Sequence, residues 1–283
     1  MKNISRTIIL SLLALCGHFT ILFGQTLENN TQNLAVISSA PVSYRVNVSG
    51  STLHGYYKKD YKLTIYGDST AIGYRADCDK DDDWSHAKVR GTTQSSNSFE
   101  TTYGCVFNPH KLYGTVLPGN AKGQYHYDNL KKLGVGIGDL TMTYKLNSNN
   151  KVIDSVVGVV FDRGPHNQPG ESSVAVCNKF KPLLDNNQFI YIVFPNTAKH
   201  IKKVIGTKAD NKTLKRNPEN ADIDKAYLLM LAEESASLRK QRKENLLKEL
   251  SQIPVKSNFD NATAEEKAAG KLKPKNNDRN LNE

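Results

Sequence analysis

Between Leu53 and Thr197 the chain is built from short runs rich in Val, Ile, Tyr and Thr, separated by clusters of Gly, Asn and Asp. Side chains branched at Cβ or aromatic suit a pleated, half-buried surface, and the interruptions suit turns. Tyr61 to Tyr66, Thr141 to Leu146, Val152 to Phe161 and Phe189 to Phe194 are the clearest such runs. The texture predicts a mainly β domain with short connections, over residues 53–198.

On either side the texture changes. At the amino terminus Lys2 and Arg6 precede an apolar run from Ile8 to Phe23, with Gly24 before Gln25. A basic start, a short apolar run and a small residue predict a secretory signal peptide over residues 1–25. The run is broken by Gly17 and His18 and is short for a membrane span. Leu15 before Cys16, with apolar residues beyond, argues against lipid attachment there. Residues 26–52 read as a polar leader that ends in one strand, Tyr44 to Val48. The expected destination is outside the cytoplasm, extracellular or periplasmic, with no membrane span. That setting permits one disulfide among Cys78, Cys105 and Cys177, leaving the pair open.

Beyond the β domain, residues 199–221 read as a linker and residues 222–252 as one charged helix. Tyr227, Leu231, Leu238, Leu246 and Leu250 form its stripe, and Arg239, Lys240, Arg242 and Lys243 lie beside Glu244 and Glu249 in a solvated, salt-bridged surface. Residues 253–283 are polar and expected to be disordered.

A formal net charge of +10 suggests a polyanion partner until it is located. Residues 199–283 carry 19 Lys and Arg against 13 Asp and Glu, and the signal peptide adds two cations, so little remains for the β domain. A nucleic-acid binder needs a clustered basic face with aromatic platforms, which is missing here. His54, His86, His110, His126 and His166 lack metal-ligand spacing, and there is no HExxH or paired CxxC, so no metal or other cofactor is expected. Ser172 and Ser173 lack a GxSxG context, which removes a serine-hydrolase elbow; bracing Glu171 or capping the next element suits them better.

The chemistry-bearing segment runs from Val156 to Ser173. An apolar strand delivers Asp162 at its end, and Gly164-Pro165 and Pro169-Gly170 are two turn signals before Glu171. Fully extended, nine residue steps would separate the acids by about 30 Å, so the turns are needed to bring them across one cleft. Two carboxyl groups, one protonated and one ionised, are what glycosidic bond cleavage requires.

This segment resembles the signature of the family 75 glycoside hydrolases, which are chitosanases: Asp162-Arg163-Gly164-Pro165, a short loop, then Gly170-Glu171-Ser172-Ser173. Further patches follow the family's order: Ala76-Asp77-Cys78-Asp79, then Phe107-Asn108-Pro109 with Val116-Leu117-Pro118-Gly119, then Gly138-Asp139-Leu140, and Tyr191 to Pro195. The likeness covers residues 60–198. It implies an endo-chitosanase that hydrolyses β-1,4 links between glucosamine units with inversion, Asp162 as base and Glu171 as acid, without a cofactor. Arg163 and His166 depart from the family pattern, and Arg163 would lower the pKa of neighbouring carboxylates.

The Asp-Arg-Gly-Pro element also resembles double-psi β-barrels of the rare lipoprotein A and expansin groups. That implies a compact, double-psi-like β-barrel, and it supplies the alternative function, a cell-wall protein that binds or cleaves peptidoglycan. Chitosan is a polycation, so Asp77 and Asp79, with Trp84 as a stacking face, are the expected substrate contacts. An EF-hand reading of the run Asp77 to Asp83 fails for want of Gly and Glu at the required positions. The expected assembly is a monomer whose partner is its polysaccharide.

Overall fold

The computed structural model describes residues 36–48, 55–85, 96–121, 124–164, 169–181, 188–208 and 213–254. The predicted signal peptide and most of the predicted disordered tail lie outside them. Strand β1 (Val36–Val48) pairs antiparallel along its length with β2 (Gly55–Gly67), so the stretch expected as a leader supplies a strand of the sheet. Then come β3 (Ile72–Ala76), β4 (Asp79–Asp81), helix α1 (Ser98–Tyr103) and β5 (Gly114–Leu117). A two-residue pair, β6 (Asn120–Ala121) and β7 (Gln124–Tyr125), leads into α2 (His126–Lys132). The central hairpin is β8 (Leu140–Leu146) and β9 (Val152–Arg163). After it lie β10 (Glu171–Ser173), α3 (Val174–Lys179), β11 (Phe189–Val193), α4 (Ala198–Ile205), α5 (Asn220–Leu231) and α6 (Ala236–Ser251).

Among the described residues, nine strands form one mixed sheet in the order β1-β2-β3-β11-β8-β9-β5-β10-β4. Strands β3 and β4 are six positions apart in that order, about 29 Å in a flat sheet at the usual strand spacing. Yet only Asp77 and Cys78 separate Ala76 from Asp79, a reach of about 11 Å at most. The sheet must therefore curl until its far edge returns toward β3. Side chains stitch the curl across its interior. Tyr191 of β11 donates its hydroxyl to the carbonyls of Asp77 (2.7 Å) and Gly170 (2.9 Å), and Tyr74 of β3 donates to the carbonyl of Val116 on β5. The two tyrosine rings stack with centroids 5.1 Å apart. The Sγ atoms of Cys78 and Cys177 lie 3.2 Å apart in the same interior, and Cys105 is also buried. The β-rich expectation therefore holds as a curled, mixed sheet, with six helices packed around it among the described residues.

The predicted runs all become strands because each has somewhere to bury. Every residue of β3 and β11 is buried, which requires cover on both faces. The inner face packs into the curl, and α6 covers the outer one. This differs from the solvated helix expected of the tail. Leu246 and Leu250 are fully buried, and Leu250 Cδ1 would lie 2.8 Å from a Cβ added at Gly73 of β3. Arg75, buried on β3, donates to the carbonyls of Leu250 and Ile253 and to Oδ1 of Asn150. A cation at a helix C-terminus meets the negative end of the helix dipole. Arg242 pairs with Asp68 in the β2–β3 turn.

The predicted helix over 222–252 is divided into α5 and α6 at residues 232–235. Glu233 turns out of the helical path and collects Lys199, His200 and Arg239. The break resets the helical phase, so Ile223, Ala226 and Met230 are buried while Leu231 and Leu238 of the expected stripe are exposed. The expected linker contains α4, whose Ile201 and Ile205 are buried. Among the described residues, no helix is long and apolar enough to cross a membrane.

Candidate active site

Asp162 stands at the end of β9, where the ladder with the parallel neighbour β5 slips. Val160 pairs with Thr115, but Asp162 pairs with Val116, leaving Phe161 as an extra residue. Such a bulge re-aims the side chains beside it. Phe161 enters the core and stacks on Phe107 at 4.7 Å, nearly parallel. Asp162 then meets the start of α1. Its Oδ1 accepts from the Ser98 backbone N–H (3.1 Å), from the Ser98 hydroxyl and from the Arg163 backbone N–H (2.7 Å). Helix α1 is held in place by its caps: Asn97 Oδ1 accepts from the Glu100 N–H, and Gly104 closes the far end in the left-handed conformation, φ 62°. The Asn97 amide also donates to the carbonyls of Asp83 and Phe107, which ties α1 to both flanks of the site.

Glu171 opens β10, which lies on the other side of β5. Ser172 pairs antiparallel with Thr115, so Glu171 falls beside Val116, the residue whose other flank is Asp162. Two strand spacings put the Cα atoms of the two acids about 10 Å apart. The turn before Glu171 depends on Gly170, at φ 99°, where an added Cβ would sit 2.3 Å from the Asp77 carbonyl. Gly164 gives the carboxyl its room, because a Cβ there would lie 2.4 Å from Glu171 Oε2 and 2.8 Å from Val116 Cγ1. Ser173 caps α3, accepting from the Val176 N–H, and also accepts from the Gly114 N–H. It thereby locks β10 to β5 below the carboxyl.

On the far side of β10, β4 runs parallel, pairing Glu171 with Asp79 and Ser173 with Asp81. Of the expected substrate contacts, Asp77 and Asp79 are buried (4% and 8% exposed) beneath the Gly170 turn. Asp81 and Asp83, half-buried, are the members of the run that reach Asp162: one carboxylate oxygen of each of the three lies within 4.8 Å of the others. Alternation along Asp79-x-Asp81-x-Asp83 is the only sequence signal for that choice. Ser98 had none. Trp84 follows Asp83 directly but lines a separate pocket with Lys111 and Asn220.

So many acids cannot all be ionised in a half-dry cleft. Burial first, then the carboxylates of Asp81, Asp162, Asp83 and Asp77, raises the Glu171 pKa well above the usual value. Burial also pushes Asp81 up to about 8, assisted by Asp162, Asp83 and Asp82. Asp162 is raised by burial too, but the Ser98 and Arg163 hydrogen bonds and the Arg163 guanidinium pull the other way. That guanidinium lies over the Tyr127 ring, 5.1 Å from its centroid. The triad of Asp81, Asp83 and Asp162 is also an oxygen donor set suited to a hard cation. Asp139 has a different task. Its carboxylate accepts from Thr197, Ala198 and Gly136 N–H groups and seats the start of α4.

No family model matches the chain, and no curated protein matches it.

Proposed function

We propose that the chain is an exported endo-chitosanase of the family 75 type, cleaving β-1,4 glucosamine links with inversion and acting as a monomer. The observation that carries this reading is the unequal treatment of two neighbouring carboxyl groups. Asp162 receives three hydrogen bonds on one oxygen, which favours its ionised form, whereas Glu171 is kept protonated by burial and by the acids around it. In this reading Asp162 is the base that takes a proton from the attacking water. Glu171 gives its proton to the leaving glycosidic oxygen. Inverting hydrolases keep their carboxyl groups about 6.5–9.5 Å apart to admit that water, and the β9-β5-β10 register supports a spacing of this order. Burial and mutual repulsion hold protons on Asp81 and Asp83 in the free protein; a bound glucosamine ammonium favours their ionised forms, which suits this wall to a polycationic polymer.

The curled sheet, with its parallel β9·β5 and β10·β4 pairs, supports the finer fold reading of a double-psi-like barrel. It also keeps the second function in play, a barrel that binds or cleaves peptidoglycan. Incubating the mature protein with soluble chitosan, chitin and peptidoglycan, and measuring new reducing ends, separates the two. Release from chitosan is expected. Binding to a wall polymer with no release from chitosan would overturn the enzyme reading.

A further inference from the structure

Immediately after Asp83 the chain enters a pocket of different character. It has a volume of about 470 Å³, within the roughly 300–1,000 Å³ of small-molecule sites. Trp84, the single tryptophan of the chain, forms one wall beside His110, with ring centroids 6.2 Å apart and tilted by 52°. Leu112 is part of the apolar lining. The rest of the lining includes residues 217–220, at the start of α5 and beyond the residues that the family resemblance covers.

That part of the lining is fixed in place. Asn217 Oδ1 accepts from the Val106 N–H (2.8 Å), Asn220 Oδ1 accepts from the Tyr113 N–H (3.0 Å), and the Asn220 amide donates to the Lys111 carbonyl (2.8 Å). A pocket held by such bonds loses little entropy when a ligand enters.

Its charge is unlike that of the neighbouring cleft. Lys111 and Glu219 both line it, one charge of each sign. A glucosamine ammonium would meet the Lys111 cation here and one carboxylate in place of the several that surround Asp162. An N-acetylated unit carries no charge, and its methyl and ring faces suit Trp84 and Leu112.

We propose that Trp84, Leu112, Lys111 and residues 217–220 form a subsite for an N-acetylated aminosugar unit of the polymer held in the acidic cleft. The C-terminal part of the chain is then a wall of the binding surface as well as a cover for the sheet. The identity of the polymer rests on the function proposed above; the subsite itself rests on the pocket.

Trp84 is its own reporter, since no other tryptophan contributes to emission. The full mature protein carrying Asp162→Asn, to prevent turnover, is titrated with N-acetylglucosamine disaccharide and with glucosamine disaccharide, short enough to fill the pocket without the acidic cleft. The N-acetylated disaccharide is expected to shift Trp84 emission saturably, with affinity at least about tenfold tighter, a difference of 1.4 kcal/mol. Lys111→Glu, at an exposed position, is expected to narrow or reverse that preference. An emission unmoved by either disaccharide, or equal affinities that Lys111→Glu leaves unchanged, overturns the subsite. Cleavage of chitosan without any Trp84 response overturns the subsite alone. A saturable Trp84 response in a protein that cleaves no polymer supports the subsite and removes the hydrolase reading.

Discussion

Ser98 donates both its backbone N–H and its hydroxyl to the same oxygen of Asp162. Two donors from one residue, fixed at the first turn of a capped helix, hold that carboxylate in one orientation and favour its charge. Ser98 is therefore a positioning residue for the proposed base.

Ser98→Ala removes a hydrogen bond to a charged group, worth about 1.5–3 kcal/mol, or roughly one to two pKa units on Asp162. The direction is upward, because the lost bond lowered it. The acidic limb of the rate profile is expected to move up by about one unit and the basic limb to stay, with Ser98→Thr restoring the original profile. A carboxyl-carbon NMR titration of Asp162 gives the same answer without any substrate. An unmoved Asp162 titration in Ser98→Ala removes the positioning role.

Gly164→Ala tests the room given to Glu171. The new methyl meets the end of a flexible side chain, Glu171 Oε2, and Val116 Cγ1. The fold can yield there, but the carboxyl must leave its place. Activity is expected to fall at least about tenfold, since a displacement of about 1 Å can cost more than that, while Tm moves by only a few degrees. Unchanged activity would show that the carboxyl position does not matter.

The crowded acids set a pH dependence of stability. Asp81 keeps its proton up to pH about 8 in the fold, against an ordinary value of 3.8. Between those values the folded chain binds more protons than the unfolded one, so stability falls as pH rises. Glu171 acts in the same direction. Denaturant titrations from pH 5 to 8.5 should show the decline, and Asp81→Asn should flatten it and leave the protein more stable than wild type at pH 8. Equal slopes for the two proteins would contradict the assignment.

Leu250→Ala measures the docking of α6. A fully buried leucine against Gly73 is expected to cost about 2–5 kcal/mol on truncation, read as a lower urea midpoint. A solvated tail helix would lose almost nothing.

The strands were legible because β9 and β11 are local runs of β-branched and aromatic residues; Asp162 and Glu171 were singled out by the resemblance to the family signature, since two acids with turn residues between them are common on protein surfaces. Four features were hidden for physical reasons. The bulge at Phe161 depends on where Phe107 sits, and the closing of the site by Ser98 depends on a helix 64 residues away in the chain. The packing of α6 depends on Arg75 and Gly73 of β3, so local periodicity alone joined α5 and α6 into one free helix. Register sets Asp79 against Glu171, with Asp77 and Asp79 buried beneath the Gly170 turn, while the carboxylates that reach Asp162 are those of Asp81 and Asp83, an approach that composition does not encode.

The most direct measurement compares reducing ends released from soluble chitosan by the mature wild type, Asp162→Asn and Glu171→Gln at matched folding. Wild type is expected to cleave, and each amide variant to lose at least about a hundredfold, the low end of what one acid or base contributes. Near-normal release by either variant would contradict the assignment of these two carboxyl groups.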